Sequence, residues 1–204
     1  MLKTVFRRLS FPAAVCAFSG TLFFITGCAT PARRIQAGGP QTITTVRGIN
    51  IQDWQDAAVE LSESLLNADI LGKKGEADLI AISSFVNNTS QHIDRDMLLK
   101  KIRTVLSKSG KAYTITTMGI GGKTEDALAT DAMRKKAFLD DDTSRPEPDY
   151  TMTLKIIEQI ERAGRIRQAS YAFQMSLTDA NRGFAVWEDE KVIAKQGGKA
   201  AVGW

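Results

Sequence analysis

Of the side chains that most often carry chemistry, this 204-residue sequence holds few: two cysteines, one histidine, three tryptophans and three tyrosines. Two cysteines cannot build a disulfide framework or a cysteine-based zinc site, and one histidine leaves a zinc ion without a ligand set. Any imidazole-dependent scheme would have to run through His92 alone. Charge of one sign is also scarce. There are 27 basic and 23 acidic residues, a formal net charge of +4, and three of the basic ones, Lys3, Arg7 and Arg8, fall in the first eight positions. The remaining 24 against 23 nearly balance. No nucleic-acid partner is expected, because that needs a clustered basic surface.

A long apolar run is present at the start. After "MLKTVFRR", the stretch from Leu9 to Ile25 is uncharged and rich in Phe, Leu, Val and Ala, the order of a charged n-region and an apolar h-region. As an uncleaved anchor it would sit near the short limit for crossing about 30 Å of hydrocarbon. The residues Ile25, Thr26, Gly27 and Cys28 resemble the lipobox of bacterial lipoprotein signals. That resemblance implies a signal peptide over residues 1–27, cleavage between Gly27 and Cys28, and lipid on Cys28. Cys16 would leave with the leader, so the mature chain would carry no free thiol. With Ala29 rather than Asp after the cysteine, the expected destination is the periplasmic face of the outer membrane. Residues 28–50 mix Pro, Gly, Thr and Arg without apolar periodicity and read as a flexible, lipid-anchored tether. At about 3.3 Å per residue, its roughly 22 residues reach at most about 70 Å.

Residues 51–196 carry the periodicity of one domain large enough for its own core, followed by a tail over 197–204. "DWQDAAVELSESLLN" places Trp54, Ala58, Leu61 and Leu65 on one helical face, with Asp53 able to cap it. "ADLIAISSFVNN" predicts a buried strand ending in a turn at Asn87 and Asn88. "DRDMLLKKIRTVLSKSG" aligns Leu98, Ile102, Val105 and Leu106 between an Asp94 cap and a Gly110 stop. "KAYTITTM" predicts a short strand, and "TEDALATDAMRKKAFLD" a helix capped by Thr124 with Leu128, Ala132 and Phe138 inward. "DYTMTLKIIEQI" and "IRQASYAFQMSLTD" predict a hairpin bending at Gly164, and "FAVWEDEKVIAK" a last strand. The expected class is α+β, a mixed sheet with packed helices in the order αβαβαβββ.

Several short motifs invite a chemical reading, and each meets a plainer one. "TMGIGGKT" has the context of a phosphate-binding loop, but Thr117 stands where glycine is required, so Gly122, Lys123 and Thr124 read as a flexible loop running into a helix. His92, with Ser90, Asp94 and Asp96 near it in sequence, has the composition of a solvated helix entry. Asp140, Asp141 and Asp142 lack the Gly-turned alternation of a calcium loop. Glu158 and Glu161, set among Arg162, Arg165 and Arg167, read as exposed charge pairs rather than as an acid and a base. Trp54 and Trp187 are expected in the core, and Trp204 ends the tail. No cofactor, metal site or catalytic residue is expected.

An ordered series of segments is more telling. The lipobox at Cys28, "DWQ", "LIAISSFVNNTS", "LSKSGKAYTI", "PDYTMTLKI" and "YAFQMSLTDANRGFAVWEDEKVIAKQG" together resemble the LpoB family of penicillin-binding protein activators, across nearly the whole mature domain. The resemblance implies a non-enzymatic outer-membrane lipoprotein that reaches through peptidoglycan, binds a class A penicillin-binding protein and raises its output. The tether is shorter than the long Pro-rich one of well-studied members. Activation demands an exposed, partly apolar face. The candidate contact residues are His92 and Arg95 in "NNTSQHIDR" and Arg165 and Arg167 in "ERAGRIR". The competing class is a lipoprotein subunit of an envelope assembly or secretion complex. A pore-forming version of it would add long alternating strands, which only the hairpin supplies.

Overall fold

The computed structural model describes residues 33–36, 39, 41, 43, 45, 48–117, 120, 124–139 and 147–198. Gly27, Cys28, much of the tether, Gly122, Lys123, the run from Asp140 to Asp142, and Trp204 lie outside the described residues. The chain divides into two compact units at Arg34 and Ile35, and every described helix and strand lies in the second. In order these are α1 (Ile51–Asn67), β1 (Asp78–Asn88), α2 (Arg95–Ser109), β2 (Ala112–Thr114), α3 (Ala127–Leu139), β3 (Tyr150–Ala163), β4 (Ile166–Asp179) and β5 (Ala185–Gly198). The class is α+β, in the order the sequence predicts.

The strands form one sheet in the order β2-β1-β3-β4-β5. β1 runs parallel to β2 and β3, and the other pairs are antiparallel. Parallel neighbours need a crossover, which α2 supplies between β1 and β2. Register aligns Ile82, Met152, Leu177 and Trp187 across four strands, then Phe85, Leu154, Met175 and Asp189 in the next row. These rows share one face. Against it pack Trp54, Ala57, Ala58, Leu61 and Leu65 of α1 and Leu98, Leu99, Ile102 and Leu106 of α2, all in one buried cluster. The opposite face carries polar partners, with Gln174 Nε2 donating to Glu190 at 2.7 Å and Ser176 to Glu188 at 3.0 Å. Alternating burial along β4 follows from this two-sided environment.

The ends of α2 carry the expected capping signals, and those of α1 and α3 differ. Asp94 caps α2 by accepting from Met97 N, and Gly110 ends it at φ 69°, a left-handed conformation that costs glycine little. Leu99 is buried and Val105 only partly, so the stripe is turned slightly from the predicted one. The cap of α1 is Asn50, and Asp53 is instead the third helical residue of a capping box, accepting from Asn50 N at 2.7 Å. In α3 the cap is Asp126, not Thr124, since Asp126 accepts from Ala129 N at 2.9 Å. Leu128 and Phe138, expected inward, are 83% and 90% exposed, and Ala132 is exposed too. The physical reason is mixed chemistry on that face. Asp131 and Lys135 follow Leu128 at helical spacing, so the stripe has no apolar continuity to bury.

Candidate partner-binding site

β1 stops at Asn88, opposite Ile157, whereas β3 and β4 continue to a two-residue turn at Gly164 and Arg165. Gly164 adopts φ 59°, which suits a tight hairpin turn. The hairpin therefore extends past the end of β1 as an arm, with β5 beside it as far as Gly198. At the arm's base sits the loop between β1 and α2.

That loop holds its own shape. Asn87 Oδ1 accepts from Thr89 N at 3.1 Å, Asn87 Nδ2 donates to Gln91 O at 2.8 Å, and Gln91 N donates to Thr89 Oγ1 at 3.2 Å. Such side-chain turns are what Asn and Thr favour. The loop is then tied to the arm through Glu158. One carboxylate oxygen accepts from Ser90 N at 2.7 Å and the other from Tyr171 OH at 3.1 Å. Partial burial alone would raise the Glu158 carboxyl, but the bonds from Ser90 and Tyr171 and the charge of Arg167 outweigh it and hold it below its ordinary value. Burial, then the hydrogen bond and charge of Glu158, push the Tyr171 phenol up to about 12. Glu158 is thus no exposed charge pair, contrary to expectation, because Ser90 and Tyr171 enclose it.

The same loop meets the chain entering the domain. Gln91 Oε1 accepts from Ile49 N at 3.0 Å, and Gly48 lies so close to the Gln91 amide that a β-carbon there would collide. Lys195, 8% exposed, donates to Gly48 O at 3.0 Å and pairs with Asp53. The entry point, the loop and the arm therefore share one corner.

Of the predicted contact residues, His92 and Arg165 are exposed, on the loop and at the tip of the arm. Arg167 is partly buried near Glu158, with its Nε lacking an acceptor. Arg95 is the first residue of α2. It pairs with Asp96 at 3.0 Å and lines a cavity beside α2. Sequence reasoning missed Ser90, Glu158 and Tyr171 as the connection, since the bond from Ser90 spans 68 positions. Among the described residues no cluster of His, Cys, Asp and Glu fits a metal ion, and no helix is long and apolar enough to cross a membrane.

These features define a class: a mixed-sheet α+β domain with a projecting β-arm and a loop tied to its base. The sequence model of the family described as "Peptidoglycan-synthase activator LpoB" matches residues 53–193, and the chain belongs to that family. The family's description makes its members activators of peptidoglycan synthases. Among solved structures, the LpoB C-terminal domain from Escherichia coli is similar at 14% identity, covering 69% of this chain and 98% of that one, with a TM-score of 0.44. The LpoB C-terminal domain from Salmonella enterica is similar at 16% identity, with the same coverage and a TM-score of 0.43. Lipoprotein GNA1162 from Neisseria meningitidis is similar at 13% identity, covering 62% and 88%, with a TM-score of 0.32. No curated protein sequence matches significantly.

Proposed function

We propose that this protein is an outer-membrane lipoprotein, anchored by lipid on Cys28, that binds a class A penicillin-binding protein and raises its synthetic output. The observation that carries the reading is the family match over residues 53–193, which runs from α1 into β5. In this reading residues 1–27 are the signal peptide, 28–50 the tether, 51–196 the binding domain and 197–204 a tail. The protein catalyses nothing itself. It stabilises the active synthase conformation by binding it better than the inactive one, and the difference in affinity is the activation.

The corner described above is the contact face. His92 and Arg165 offer exposed polar contacts, Arg167 lies behind them, and Ile160 and Ile166, 39% and 47% exposed, add apolar area. A rigid face loses less entropy on binding than a loose one, and the Ser90–Glu158–Tyr171 chain supplies that rigidity. The test is a pull-down from solubilised envelopes with the domain, followed by glycan polymerisation by the captured synthase with and without it. Capture with faster polymerisation is expected. Retention of another envelope complex and no synthase would overturn the proposal and favour an assembly subunit.

A further inference from the structure

Along α2, on the side of the segment that follows β2, lies a cavity of about 560 Å³, within the range of small-ligand sites. Its apolar part is formed by Ile82, Leu99 and Ile120. Among the described residues around it stand three cations, Arg95, Lys100 and Arg103, against two carboxylates, Asp96 and Glu125. Each carboxylate is already committed, Asp96 to Arg95 at 3.0 Å and Glu125 to Arg103. Lys100 makes no ion pair among the described residues. Among the described lining residues, one positive charge therefore stands without an ionic partner beside an apolar wall.

Arg103 adds a second observation. Its side chain is only 11% exposed, its Nη1 holds Glu125, and its Nε is shielded from solvent with no acceptor. A buried donor left without a partner is costly and calls for an explanation. Arginine's planar fork matches a carboxylate, and Glu125 already presents one to it from within the chain. Arg95 and Arg103 sit two helical turns apart with Leu99 between them, so charge and apolar surface alternate along the same stripe.

We infer that this cavity is a binding site for a carboxylate on a short aliphatic carrier, such as the free C-terminus of a small peptide. One unpaired cation, Lys100, among the described lining residues matches a monoanion better than a phosphate dianion, and the Ile–Leu wall favours an aliphatic neighbour over a bare ion. The inference does not depend on the synthase-activator reading and stands or falls apart from it.

The test is methyl NMR of the full-length protein in detergent, titrated with acetyl-Ala-Ala as the free acid, with its C-terminal amide, and with acetate at matched ionic strength. Saturable shifts at Leu99 and Ile120 with the free acid, absent with the amide and far weaker with acetate, are expected. Lys100→Gln should weaken binding roughly tenfold, the scale of one charge-assisted contact, and Lys100→Arg should retain most of it. Unchanged Leu65 and Leu177 signals report that both variants fold. Equal shifts with the amide, no shift at Leu99 and Ile120, or full affinity in Lys100→Gln would each overturn the proposal.

Discussion

Two helices meet opposite fates in this domain. α1 buries Trp54, Ala57, Ala58, Leu61 and Leu65 and is stitched to β5 by three long-range contacts, Asp53 to Lys195, Glu60 to Lys191 and Ser64 to Asp189. α3 leaves Leu128 and Phe138 in solvent, and its described ion pair, Asp131 with Arg134, lies within one turn of the same helix. A continuous apolar stripe, which α1 has and α3 lacks, is only an offer of a face. It is taken up where the sheet provides a complementary row, as β4 and β5 do for α1, and isolated helices of this length gain little from propensity alone.

The contrast can be broken by mutation, and the largest effect belongs to the core of α1. Leu65, fully buried, should cost about 3 kcal/mol when truncated to Ala, whereas Leu128→Ala should stay within about 0.5 kcal/mol in urea denaturation. A comparable loss at Leu128 would mean that α3 is packed after all. Next, Lys195→Met should cost about 2 kcal/mol, since it leaves Asp53 without its cation and Gly48 O without a donor. The exposed counterpart Arg134→Ala should cost under about 0.5 kcal/mol.

A smaller effect, about 1 kcal/mol, is expected for Glu158→Gln, and its signature is a pH dependence. Glu158 and Asp149 are both held below the ordinary carboxylate range, the latter by the hydrogen bonds from Leu79 N and Lys74. Folded values below unfolded ones mean that these groups stabilise the protein above the ordinary carboxylate range. That contribution is lost as pH falls through the folded values. Denaturation midpoints should decline below about pH 4.5 in the parent, and less steeply in Glu158→Gln. An identical acid limb in both would remove Glu158 from the corner's energetics. Smallest of all, Phe138→Ser should leave stability unchanged within about 0.5 kcal/mol.

What could be read in the sequence was what neighbours in sequence decide. The Asp94 start and Gly110 stop of α2, the Gly164 bend and the alternation of β4 are local signals, and each is seen in the fold. The Thr124 cap failed because Asp126, two residues on, has the same chemistry and the better register. The site was legible only in outline. Loop and hairpin could be named separately, but their junction through Glu158 joins residues far apart in sequence, and periodicity carries no such information. Arg103 had a usable signal in its spacing from Arg95 along α2, yet its burial beside Glu125 depends on how the chain returns after β2.

We propose that the corner joining the loop of His92 to the arm of Arg165 is the face through which a synthase is activated. The most direct measurement is glycan polymerisation by a class A penicillin-binding protein against increasing amounts of the parent domain or of a His92→Ala, Arg165→Glu variant with the same melting temperature. Both side chains are exposed, so the variant should fold normally. The prediction is acceleration by the parent and roughly tenfold lower potency for the variant, within the usual range of coupling energies. Equal potency, or no acceleration by the parent, would contradict it.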